Sequence, residues 1–154
     1  MSNVNNDLED SRTRFEEIVW PNISDWFGDS PDLHRTEDKP GELREDFDRV
    51  GGVDYWAVDR GVGMLSIASR VQTYDKTTFT VRYSRGTGNK TEYQKRMDQL
   101  NSHYELPTYT VQAYIDTTLR VMRNVAAVKT KDLMKYIMTG TPGDDWPLIP
   151  SDEN

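Results

Sequence analysis

An acid, Asp54, opens the apolar run 53–58, and Ser66, Ala68, Arg70 and Gln72 occupy every second position of the run 63–72. Residues two apart on an extended strand share a face, so this row forms one polar side and Leu65, Ile67, Ser69 and Val71 the other. Arg70 and Arg82 would lie on neighbouring strands and, with Lys76, Arg85 and Lys90, make a local basic patch. A guanidinium offers phosphate a two-pronged fork, and the same cations serve equally well in salt bridges with nearby acids. The polar loop 83–90, which contains Gly86 and Gly88, is of the kind that touches a nucleic-acid backbone, with Arg82, Arg85 and Lys90 as candidate contacts. It lacks the spacing of a triphosphate-cradling loop.

Other chemistries find less support. His34 and His103 are the two histidines, and neither has a second histidine or a cysteine near it to suggest zinc. The chain has no cysteine, which excludes disulfides and thiolate chemistry. No nucleophile-elbow sequence appears, so a serine hydrolase is not expected.

The elements that must position these residues follow from periodicity and punctuation. Phe15, Ile18 and Val19 fit one face of a helix over 8–20. Pro21 then starts a new turn, with Ile23, Trp26 and Phe27, that Gly28 stops. That arrangement presents Trp20, Trp26 and Phe27 to the core. Residues 29–41 read as a loop, and 42–50 as a short helix or an irregular lead-in. Strands follow over 53–58, 63–72 and 78–83. Thr91 and Gln94 form a capping box for a helix with Tyr93, Met97 and Leu100 as its apolar stripe. Strands over 108–115 and 119–128 come next, and a last helix is capped by Thr130 and carries Leu133, Tyr136 and Ile137. The expected fold class is α+β, a mixed central β-sheet flanked by helices. Residues 1–7 are expected to be disordered, 8–140 to form one α+β domain, and 141–154 to be a tail rich in proline and acid.

With 154 residues the chain suits one domain, and four Trp, eight Tyr and four Phe provide bulk for a core. The net charge of −7 argues against a general phosphate-binding surface and leaves room for a local basic groove. No run is apolar enough to cross a bilayer and the first residues have no signal-peptide character, so a soluble, cytoplasmic protein without a membrane partner is expected.

The order helix, three strands, helix, strand resembles the restriction-endonuclease-like fold, the PD-(D/E)xK superfamily, with its α-β-β-β-α-β core. The resemblance spans 8–140 as topology and 53–83 as sequence pattern. In that family an acid opens the second core strand, and an acid-x-Lys triplet on the next strand faces the same divalent metal. The resemblance implies a metal-dependent deoxyribonuclease using Mg²⁺ or Mn²⁺. Asp54 falls on the first position and Ala68-Ser69-Arg70 on the triplet, with Gln72 continuing its face. The implied site has Asp54 and Glu17 as metal ligands, with Arg70 and Gln72 orienting water or phosphate. Ala68 has no ligand atom, and arginine stays protonated where lysine shares its proton. The second carboxylate would therefore come from Glu16 or Glu17, or from Asp46 or Asp48. Alternatively, Ser69 marks a shifted register. A third possibility is a catalytically inactive member that binds DNA, another nucleic acid or a protein, such as an accessory protein of a virus or mobile element. A homodimer stays open.

Overall fold

A computed structural model of the chain describes residues 10–36, 53–73, 78–81, 91–101 and 105–141. Helix α1 (residues 10–23) packs on a sheet of five strands. The strands are β1 (Asp32–Arg35), β2 (Tyr55–Asp59), β3 (Gly63–Gln72), β4 (Tyr109–Asp116) and β5 (Val121–Lys129). Helix α2 (Glu92–Asn101) lies between β3 and β4 in the chain, and α3 (Thr130–Thr139) follows β5. The sheet order is β1-β2-β3-β4-β5, with β3 and β4 parallel and every other pair antiparallel. A parallel pair needs a long crossover, and the segment containing α2 supplies it. The architecture is α+β, a five-stranded mixed sheet flanked by helices. No helix among the described residues is long and apolar enough to cross a membrane.

Local chemistry explains how α1 accommodates its proline. Pro21 has no N–H, and just before it the helix widens: the Trp20 N–H reaches back to Phe15 O, five residues earlier. A 3₁₀ turn, Ser24–Phe27, then ends at Gly28 with φ +138°. The face so presented buries Phe15, Ile18, Val19, Ile23 and Phe27 against Tyr55, Ala57, Ile67, Val111, Ala113 and Ile115 of the sheet. The Phe15 and Tyr55 rings stack at 4.6 Å, and Phe27 meets Tyr109 edge-on at 5.3 Å. Each such buried side chain contributes about 1.5–3 kcal/mol. Period-two alternation therefore separates an apolar core face under α1 from an opposite, polar face.

Four expectations need correction. The first strand is 32–35, inside the stretch read as a loop. Its charged pattern is that of a short edge strand, which gives little apolar signal. Residues 78–81 do not form a strand, because side chains of β4 hold their backbone instead. Thr130 does not cap α3: it is fully buried and its hydroxyl meets Thr110 Oγ1 at 2.8 Å. Trp26, Leu100 and Tyr136 are exposed, and the buried residues of α2 are Arg96 and Gln99. The capping box itself is present, with Thr91 N–H donating to Gln94 Oε1 at 2.9 Å and Gln94 N–H to Thr91 Oγ1 at 3.3 Å. Residues 1–7, 42–50 and 142–154 lie outside the described residues.

Candidate functional site

Asp54 sits where β2 begins and the ladder to β3 runs out. Its N–H donates to Ile67 O at 2.9 Å, and its carbonyl accepts from Thr36 N–H at 3.0 Å. Its carboxylate then accepts from Ser69 N–H at 2.8 Å, standing in for the main-chain oxygen that the next rung would offer. The side chain is otherwise exposed. Trp56 pairs with Ser66 across the β2–β3 ladder, and the pairing ends at Tyr55 opposite Ile67, one residue after Asp54. Ala68, Arg70 and Gln72 share one face of β3, as their spacing implied.

β4 extends this polar row. Ala68, Arg70 and Gln72 pair with Thr110, Gln112 and Tyr114. With the Gln72 amide turned so that its oxygen faces donors, it accepts from Arg70 Nη2 at 2.7 Å and Nε at 2.8 Å. Its nitrogen then donates to Tyr114 Oη at 3.0 Å. Arg70 Nη1 also reaches Thr80 Oγ1 at 3.4 Å. Gln112 accepts from Thr80 N–H at 2.9 Å and donates back to Thr80 O. Every hydroxyl and amide of the row that touches 78–81 is thereby engaged, which a buried polar face requires.

Helix α2 adds a second cation. Arg96 is buried and donates from Nη1 to Gln99 Oε1 at 3.1 Å. Burial lowers the pKa of its guanidinium, while the carboxylates of Glu92 and Asp54 oppose that shift. Asp54 therefore lies within electrostatic range of Arg96. Sequence reasoning passed over Arg96, Gln99, Gln112 and Tyr114. A signal was available for the strand pair, since Thr110, Gln112 and Tyr114 alternate with apolar neighbours. For α2 the signal was the i, i+3 spacing of Arg96 and Gln99.

Two acids of α1 have arginine partners. Glu16 accepts from Arg35 of β1, at 2.8 Å from Nε to Oε1, and Glu17 forms an exposed ion pair with Arg120 at 2.7 Å. Arg120 belongs to the β4–β5 turn, with φ +52°. Arg82, Arg85, Lys90, Lys76, Asp46, Asp48 and His103 lie outside the described residues, and His34 is an exposed residue of β1. A divalent magnesium or manganese ion is held by carboxylate and carbonyl oxygens. Among the described residues no group of three or more acidic, histidine or cysteine side chains gathers that could hold such an ion. No family model matches the chain, and no curated protein or solved structure matches it either.

Proposed function

We propose that this chain is a restriction-endonuclease-like nucleic-acid-binding domain whose inherited metal site has become a phosphate-recognition site. The observation that carries this reading is the register of β2 on β3. It brings the start of β2 against Ser69, so Asp54 lies beside the strand that carries Ala68, Arg70 and Gln72, residues that are neutral or cationic. The helix–three strands–helix–strand order, with β4 parallel to β3, supports the fold assignment on which the reading rests. Arg70 is the group that would engage a phosphate through its fork, with Gln72 holding the guanidinium plane. Asp54 would hold the start of β2 against Ser69, beside that pair.

The test is a fluorescence-anisotropy titration with labelled single-stranded, duplex and branched DNA, alongside a cleavage assay in Mg²⁺ and Mn²⁺. Binding that weakens with salt, and by about tenfold in Arg70→Ala, is the expected outcome. Metal-dependent cleavage abolished by Asp54→Ala would overturn it in favour of a working deoxyribonuclease. Absence of binding to DNA and RNA at low salt would leave the fold as a protein-binding module.

A further inference from the structure

We propose that the outer edge of β5 pairs antiparallel with the β5 edge of a second copy of this chain, joining two sheets into one. The inference is independent of nucleic-acid binding. The two edges of the sheet are built differently. β1 has four residues and carries Asp32, His34 and Arg35, the short, charged construction that keeps an edge from pairing. β5 has nine residues, and among the described residues no strand lies on its outer side. Its segment Asn124-Val125-Ala126-Ala127-Val128 has neither charge nor proline, so it lacks those protections. The core also stops short there. Residues 110–115 of β4 are buried, whereas no residue of β5 is, and Met122, Val125 and Ala127 pack on the core only partly covered.

The edge is complementary to itself. A two-fold axis normal to the sheet sets residues of the same face opposite one another, so it must pass through a residue. The regular length is bounded by the bulge at Met122–Arg123 and by Thr130, where α3 begins. An axis at Ala126 fits inside those bounds and pairs Asn124 with Val128 and Val125 with Ala127. Val125 and Ala127 lie in register with Ala113 and Val111 of the core, so each copy continues the other's partly covered row. Ala126 is small and exposed, which lets the two backbones meet at the axis. At either end Arg123 comes opposite the other copy's Lys129, and the Asp116 carboxylate, 3.1 Å from Arg123, offsets the repulsion. An axis at Val125 runs the pairing into the bulge, and one at Ala127 sets Lys129 against Val125 on the core face. Pairing with a strand of another protein would leave the purified chain monomeric.

The chain has no cysteine, so single-cysteine variants report on the axis directly. Opposite Cα atoms of antiparallel strands lie about 4.5–5.5 Å apart, within the span of a disulfide. The experiment compares full-length wild type with Ala126→Cys, Ala126→Lys and an off-axis control, Leu119→Cys, at an exposed position of the β4–β5 turn. Light scattering of wild type over a concentration series should pass from the mass of one chain to that of two. Under mild oxidation Ala126→Cys should form a disulfide-linked dimer at least about tenfold faster than Leu119→Cys. Ala126→Lys should keep the wild-type circular dichroism spectrum and raise the dimer Kd about tenfold, because it sets two ammonium groups together at the axis. Wild type that keeps the mass of one chain at every concentration overturns the proposal. Equal cross-linking rates of the two cysteine variants, or a dimer that Ala126→Lys leaves unchanged, overturn it as well.

Discussion

The Asp54 carboxylate accepts the Ser69 N–H at 2.8 Å, so one side chain completes the β2–β3 ladder where the main chain leaves it. This gives Asp54 a structural task independent of any ligand. Asp54→Ala is expected to cost about 1 kcal/mol, the net worth of one hydrogen bond. Asp54→Asn keeps an acceptor oxygen and should recover most of that loss. Chemical denaturation of the two variants checks the ordering, and equal losses would show that charge rather than the hydrogen bond matters.

The second prediction concerns acid. Backbone N–H groups of Ser30, Val62, Gly61 and Asp29 hold the Asp59 carboxylate below its ordinary pKa of 3.8. The Leu119 N–H, followed by Arg123 and the Thr118 N–H among others, does the same for Asp116. A carboxyl whose pKa is depressed in the folded state contributes stability that is present above its unfolded value. That contribution fades as pH falls through the ordinary carboxylate value towards the folded one. Melting temperatures between about pH 6 and pH 2 should drop most steeply below about pH 4. Asp59→Asn should melt lower than wild type near neutrality and show a shallower acid slope.

Gly28 supplies the third. An added Cβ would lie 2.4 Å from Asp59 Cγ, at a φ of +138° that L-residues rarely adopt. Gly28→Ala must displace the carboxylate that ties Ser30, Gly61 and Val62 together. The backbone strain alone is worth about 1–3 kcal/mol. A melting temperature equal to wild type would contradict this.

Phe15 and Tyr55 test the core. Their stacked rings are nearly inaccessible, at 1% exposure each, so Phe15→Ala should cost about 3–5 kcal/mol. Burial, reinforced by Glu16, pushes the Tyr55 hydroxyl well above the normal phenol range. It should therefore resist ionisation in an alkaline spectroscopic titration until the protein unfolds. Early ionisation of every tyrosine would refute the packing.

Much of this architecture was legible in the residues. Alternation in 63–72 separated Leu65, Ile67 and Val71 from Arg70 and Gln72, because a pleated strand leaves no other assignment. Thr91 and Gln94 marked their helix through a reciprocal bond that depends on three-residue spacing alone. The strand at 32–35 stayed hidden because an edge strand needs neither apolar alternation nor branched side chains, and Asp32, His34 and Arg35 supply neither. The described part of the strand expected at 78–83, residues 78–81, shows the opposite error. Phe79 and Val81 carry a good strand pattern, but strand formation needs a neighbouring main chain, and Gln112 and Tyr114 take that place. The polar row of β3 was visible in the same way, whereas the burial of Arg96 was not, since a charged residue gives no apolar signal.

The most direct test of the central claim is the affinity of wild type and Arg70→Ala for single-stranded DNA across a salt series. Phosphate recognition by Arg70 predicts a measurable complex whose affinity falls with salt, with both affinity and salt slope reduced in the variant. Identical curves for the two proteins, or DNA cleavage in Mg²⁺ that disappears in Asp54→Ala, would contradict it.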